Sequence, residues 1–290
     1  MDQARTRRGE IDVKKFFIVG KPLSHTASPH IYNRVFSSRG IGARYEPLEV
    51  DVEGLREFVK FVAREAAGFN VTVPHKTTVV PLLDELDATA REIGAVNTVL
   101  NVNEKLFGYN TDWIGVRRSL ERFHVLRGLG EVLVVGAGGA ARGVVYALRD
   151  SARRVVVLSR TGFSAKELAA LASRWGLDAV GLEASNIAVR EILGRVDLLI
   201  NASPVGTLSW ESPVPEDSLH PGLIVMDLVY NPLRTRLLAA AESAGCTTID
   251  GLWVLCYQAA ENLKIWLGLD VEVEELRSYG MEFLGSMQMR

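Results

Sequence analysis

Lys76 closes the stretch Phe69-Asn70-Val71-Thr72-Val73-Pro74-His75-Lys76, in which an apolar, β-type run stops at a proline and a cation follows at once. An amine placed just past a strand end can meet an anion or hand over a proton, and it can equally be a solvated surface charge. A second candidate is Val132-Leu133-Val134-Val135-Gly136-Ala137-Gly138-Gly139-Ala140-Ala141, with Ala141 where a dinucleotide fingerprint has its third glycine. It follows a buried-type strand and opens a helix, which is the context that gives such a fingerprint meaning. Gly136 permits the tight turn, and Gly138 lets the backbone approach a pyrophosphate held on the free N–H groups of Gly139 and Ala140. The next strand ends in Ser159-Arg160-Thr161 and carries no acid there. An acidic residue would bind the ribose 2′-OH of NAD, whereas an arginine flanked by hydroxyls can pair with a 2′-phosphate, so NADP is the favoured cofactor. Arg160 read in isolation also fits a plain surface cation.

The rest of the composition excludes more than it suggests. The chain has 290 residues, 48% hydrophobic and 23% charged, with a formal net charge of −2. These values fit a globular protein of two domains and give no excess of cations for a nucleic acid. The first eight residues, Met1 to Arg8, form a small basic tail whose polarity and charge predict a mobile terminus. No apolar run is long enough to span a membrane, and a soluble, cytoplasmic protein is expected. Cys246 and Cys256 make no disulfide framework, and the five histidines show no metal-ligand spacing.

The elements that must position these residues alternate between short β-branched runs and longer helical periods, the pattern of an α/β protein with mostly parallel sheets. Two domains are expected: a substrate domain over 14–112 and a nucleotide domain over 113–250, with helices over 251–290 returning to the first. In the first half, strands are expected at "KFFIVG", "RYEPLEV" and "FNVTV", followed by helical material through Ala95 and a hairpin across "NVNEK". Ser28 reads as the N-cap of a helix with Pro29 at its first position and Gly40 just past its end. Asp112 is a plausible N-cap of the helix that begins "DWIGV".

Taken together, "GKPLSHTASPHIYN", "FNVTVPHK", "GAVNTV", "YNTDWIG", "GAGGAARG", "SRT", "NASPVG", "DLVYNPLRT" and "DGLWVLCYQA" resemble the shikimate dehydrogenase family, in family order, from about residue 16 to about 285. The resemblance implies NADPH-dependent reduction of 3-dehydroshikimate to shikimate, on the route to chorismate and the aromatic amino acids. It implies Lys76 as the catalytic lysine and Asp112 as its partner carboxylate, orienting the amine and favouring its charged form. Thr26, Ser28, Thr72 and Tyr230 then surround the substrate carboxylate, and Asn97, Asp112 and Gln258 bind its hydroxyls and reacting oxygen. Leu228 and Gly251 border the nicotinamide. His75 is a rival acid but is expected to point away from Lys76. Thr26 stands where the family usually has serine, Ser159 where asparagine is frequent, and Ser164 where a second arginine often completes the phosphate clamp. Use of quinate or of NAD therefore stays an alternative, as does an idle nucleotide-binding regulator on the same fold. Monomer and homodimer are both compatible with the chain.

Overall fold

The structure is a computed structural model and describes residues 13–288; the basic N-terminal tail lies outside the described residues. The first half comprises β1 (Lys14–Gly20), α1 (Ser28–Ser38), β2 (Ala43–Glu49), α2 (Leu55–Glu65), β3 (Gly68–Val71), β4 (Glu85–Leu86), α3 (Ala88–Ile93), β5 (Thr98–Val102) and β6 (Lys105–Tyr109). They build a six-stranded sheet in the order β2-β1-β3-β5-β6-β4, with β2, β1 and β3 parallel and β5 antiparallel to both β3 and β6. β1 is central and reads Phe16-Phe17-Ile18-Val19 without alternation, because both of its faces are buried. Pro47 is confined to β2, where a missing N–H on an edge strand is tolerated. The β5–β6 hairpin turns at Asn103 and Glu104, both with positive φ (52° and 65°), as a tight hairpin with primed-turn geometry requires.

After α4 (Asp112–Arg122) the chain builds a second sheet from β7 (Leu129–Val135), α5 (Gly139–Leu148), β8 (Ala152–Ser159), α6 (Gly162–Arg174), β9 (Asp178–Glu183), α7 (Asn186–Leu193), β10 (Leu198–Asn201), β11 (Ile224–Asp227), α8 (Arg236–Ser243) and β12 (Thr247–Ile249). Its order is β12-β11-β10-β7-β8-β9 and every pairing is parallel. The strand order reverses between β7 and β10, so a crevice opens beyond their carboxyl ends, where doubly wound sheets bind ligands. α9 (Gly251–Leu267) and α10 (Val273–Gln288) return to the first sheet: Leu252, Leu255, Leu263 and Trp266 pack with Phe16, Ile31, Tyr32 and Tyr45. The Trp266 indole donates to the Val99 carbonyl at 3.0 Å across Gly68, where a Cβ would come within 2.7 Å of the same nitrogen. No described helix is long and apolar enough to cross a membrane.

Four local expectations need correction. Ser28 is the first helical residue of α1 and not its N-cap; Ala27 holds that position without a side-chain bond, and the Thr26 hydroxyl accepts from Ser28 N at 3.4 Å. Asp112 is likewise inside α4, with Thr111 at the N-cap, because the Asn110 carboxamide oxygen accepts from the Asp112 and Trp113 N–H groups (3.1 and 3.5 Å). The "FNVTV" strand ends at Val71, although Thr72 N still donates to Val19 O and Lys21 N to Val73 O, both at 2.9 Å. The segment through Ala95 is helical only in α3 and one short turn over Val80–Leu82. Asp84 draws the chain onto β6 instead, exchanging bonds with Leu106 at 2.8 and 3.1 Å. β12 had no counterpart in the sequence reading.

Candidate active site

A cleft of about 370 Å³ opens where the carboxyl ends of the two sheets face each other. From the first sheet, the segment after β3 brings Thr72, Val73 and Lys76 to its wall. The start of α4 brings Asp112 and the region before β5 brings Asn97, while α9 contributes Gly251, Val254 and Gln258. The second sheet adds Ala140 from α5 and Leu228, Val229 and Tyr230 from the loop after β11.

At the centre, Lys76 Nζ lies 2.5 Å from Asp112 Oδ2, each side chain 12% exposed. A charge-assisted bond of this length between two largely desolvated groups fixes the amine at one point in the cleft. The other carboxylate oxygen, Oδ1, accepts from Asn97 Nδ2 at 2.9 Å. Because Asn110 takes over the capping of α4, the Asp112 carboxylate is released for this pair. His75 is fully buried and its Nε2 lies 2.6 Å from Val50 O, so it turns away from the cleft as expected.

Asn97 Nδ2 stands 2.9 Å from each of Asp112 Oδ1, Gln258 Oε1 and Thr111 Oγ1. An amide nitrogen carries two hydrogens, so it serves two of the three at once. Asp112 and Gln258 both line the cleft, where a ligand hydroxyl can donate to whichever of their oxygens is left over. The carboxamide is held from behind: its Oδ1 accepts from Thr111 N at 2.7 Å, while the Thr98 and Thr111 hydroxyls converge on Asn262 Oδ1 at 2.6 and 2.9 Å. Asn262 is wholly buried and donates in turn to Tyr32 Oη at 2.8 Å.

The other end of the cleft is built by the first turn of α1. Thr26 and Ser28 are buried there, with the Tyr230 hydroxyl 3.4 Å from Thr26 Oγ1 and accepting from Ala27 N at 3.4 Å. Burial pushes the Tyr230 phenol up, so it remains a neutral donor. Three hydroxyls beside a helix N-terminus suit a carboxylate.

On the nucleotide side, Gly136 has φ +113°, and a Cβ there would lie 2.9 Å from the Ala202 backbone, so the turn from β7 requires glycine. Gly138 is the N-cap of α5 without a side-chain bond, and nothing lies within 4 Å of where its Cβ would be. Free N–H groups at a helix start and open space above them fit a pyrophosphate. Gly136 N donates to Leu158 O at 2.7 Å, which sets this turn next to the end of β8. There Ser159 Oγ donates to Thr161 O (2.6 Å) and Thr161 Oγ1 meets Ser164 Oγ (3.0 Å). Arg160 is exposed, which leaves its guanidinium accessible to an anion such as a 2′-phosphate. These residues fit NADP. Of the cofactor residues read from sequence, Ala140, Leu228 and Gly251 line the cleft itself, whereas the 136–139 turn and 159–161 flank it.

Behind Leu228 sits a carboxyl that the sequence reading passed over. Asp227 is fully buried at the end of β11 and accepts from Thr235 Oγ1, Asn201 Nδ2 and Val229 N at 2.7, 2.9 and 3.0 Å. Burial pushes it up to about 6. It ties the loop after β10 to the loop after β11. His25 and Asn70 also line the cleft and were unassigned. An asparagine inside a four-residue buried strand was a legible signal for Asn70, and the same signal marks Asn262 within the apolar face of α9.

Residues 18–99 match the family model described as the shikimate dehydrogenase substrate binding domain. The chain is 43% identical over 278 residues to a shikimate dehydrogenase (NADP(+)) of Pyrococcus abyssi, an alignment covering 94% of this chain and 99% of the relative. A crystal structure of a shikimate dehydrogenase in complex with NADP+ superposes with a TM-score of 0.85 at 33% identity, covering 95% of this chain and 97% of the other. That of the Thermus thermophilus enzyme in complex with NADP(H) and shikimate does so with 0.81 at 34%, covering 93% and 99%. With near-complete coverage in both directions, the chain belongs to the shikimate dehydrogenase family.

Proposed function

We propose that this protein catalyses the reversible, NADPH-dependent reduction of 3-dehydroshikimate to shikimate, with Lys76 as the proton donor and acceptor. The observation that carries the reading is the Lys76–Asp112 pair, 2.5 Å apart in a cleft between a hydroxyl-lined helix start and a dinucleotide turn. When bound, the reduced nicotinamide supplies the hydride. Hydride addition to a ketone leaves an alkoxide, which needs an acid within hydrogen-bond reach. Lys76 Nζ donates that proton, and in the reverse direction it takes the proton from the alcohol. Asp112 orients the amine and balances its charge, and Asn97 holds the second carboxylate oxygen. Gln258 Oε1 is the acceptor best placed to take a substrate hydroxyl, since Asn97 cannot serve all three of its partners at once.

At the far end, Thr26, Ser28, Thr72 and Tyr230 grip the ring carboxylate, and this contact sets which face of the ketone meets the nicotinamide. Leu228 and Gly251 border the nicotinamide, where the Gly251 Cα packs against the Leu228 carbonyl with no room for a side chain. Ser159, Arg160 and Thr161 hold the 2′-phosphate. The test is an initial-rate matrix of shikimate and quinate against NADP and NAD. The reading expects the highest kcat/KM for shikimate with NADP; a maximum at quinate with NAD, or no turnover in any cell of the matrix, would overturn it.

A further inference from the structure

Helix α5 carries two glycines four residues apart, Gly139 and Gly143, which therefore share one face. A Cβ on Gly139 would lie 2.6 Å from Lys76 Cβ, 3.3 Å from its Cδ and 3.4 Å from its Cγ. One on Gly143 would lie 3.0 Å from Asp112 Cβ and 3.3 Å from Trp113 N. The two bare positions thus stand against the two members of the ion pair, one each. Neither glycine has a positive φ, so backbone conformation does not call for glycine at either. At Gly143, inside the helix, glycine also costs stability relative to alanine. What remains is the need for close approach.

We propose that Gly139 and Gly143 are positioning residues for the Lys76–Asp112 pair. The inference rests on the reading of Lys76 as the proton donor. The side-chain-free face of α5 is the wall on which the lysine stem and the Asp112 stem rest, so the helix that opens the cofactor turn also sets the place of the amine. Gly139 then has two tasks: as the first residue of α5 it offers a backbone N–H to the pyrophosphate, and its bare Cα makes room for the lysine stem.

The size of the effect follows from the distances. Carbon atoms pack at about 3.5–4.0 Å, so a methyl group on Gly139 has to open the contact by about 1 Å. The atom it meets is Lys76 Cβ, which is fixed to the backbone and cannot swing aside as the end of a side chain can. A misplacement of that order at a reacting group lowers turnover by about 100-fold. The methyl of Gly143→Ala needs roughly half that adjustment.

The experiment measures kcat for shikimate oxidation and the Kd for NADP by titration in the full-length protein, for Gly139→Ala, Gly143→Ala, Lys76→Ala and Lys76→Ala/Gly139→Ala. Expected is a fall in kcat of about 100-fold for Gly139→Ala and about 5-fold for Gly143→Ala, with the Kd for NADP within about 3-fold for Gly143→Ala and, since Gly139 belongs to the cofactor turn, raised by no more than about 10-fold for Gly139→Ala. Because Gly139 acts through the lysine, adding Gly139→Ala to Lys76→Ala lowers kcat by less than about 3-fold more. The proposal is overturned if Gly139→Ala turns over like wild type, if its NADP affinity falls as far as its kcat, or if the full loss persists on the Lys76→Ala background. Should Gly139→Ala fail to fold, Gly143→Ala carries the same test against an Asp112→Ala background. Wild-type turnover in Lys76→Ala alone would instead overturn the proton-donor reading, so the two failures are separate.

Discussion

Replacing Asp112 by asparagine keeps the shape of the side chain and changes only what it can accept. The carboxylate serves two donors at once, Lys76 Nζ at Oδ2 (2.5 Å) and Asn97 Nδ2 at Oδ1 (2.9 Å). An amide has one oxygen and one NH2, so in either flip state an N–H group points at another donor. If the NH2 faces Lys76, the amine loses a charge-assisted bond worth about 1.5–3 kcal/mol. If it faces Asn97, the new NH2 is itself a buried donor left unmade at about 1–3 kcal/mol, while Asn97 keeps Gln258 Oε1 and Thr111 Oγ1 as acceptors and is pushed off the Asp112 side. At about 1.4 kcal/mol per factor of ten, either route lowers kcat by roughly 10- to 100-fold. Shikimate oxidation followed through NADPH formation at saturating NADP reads this directly, with the KM for NADP expected within about 3-fold of wild type. An Asp112→Asn enzyme with wild-type kcat would refute the argument that the carboxylate orients the lysine.

Three further outcomes follow from other parts of the molecule. Arg160→Ala is expected to raise the KM for NADPH by about 10- to 100-fold and that for NADH by less than about 3-fold, since only the former carries the 2′-phosphate that we propose Arg160 pairs with; equal effects on both would remove that role. Gly68→Ala places a methyl 2.6 Å from Val99 O and 2.7 Å from Trp266 Nε1, and urea unfolding should show a loss of about 1–3 kcal/mol. Asp227 sits at about 6 in the folded chain against a usual 3.8. Its raised value means that the folded state holds the proton longer than the unfolded one. That contribution, about 3 kcal/mol at most, is complete below pH 4 and is lost as pH rises from about 4 to about 6. Asp227→Asn keeps the three bonds, with its NH2 donating to Thr235 Oγ1, and should flatten the stability profile over that window; an unchanged slope would contradict the assignment.

Much of this molecule is legible in its sequence because the strongest signals are local. The glycine turn at 136–139 is set by its flanking strand and helix, and the proline at 74 lies just past the end of β3 at Val71. What was misplaced is also instructive. Ser28 and Asp112 both have the residue type of an N-cap, and both lie one residue inside their helices. In each case a side chain two residues earlier, Thr26 or Asn110, accepts from the backbone in their place, and that frees the functional group to face the cleft. Single-residue propensity cannot see this exchange. The buried chain from Asn97 through Thr98 and Thr111 to Asn262 and Tyr32 spans residues 32 to 262, so only the fold reveals that it steadies the site. The approach of Gly143 to Asp112 is of the same kind: a helix glycine has no evident purpose until the partner surface is known.

The central claim is that Lys76 moves the proton. It is tested most directly by kcat for NADP-dependent shikimate oxidation in Lys76→Ala, measured alongside the Kd for NADP. The account predicts a fall of about 10²- to 10⁴-fold in kcat with cofactor affinity within about 3-fold of wild type. Turnover near the wild-type value would contradict it.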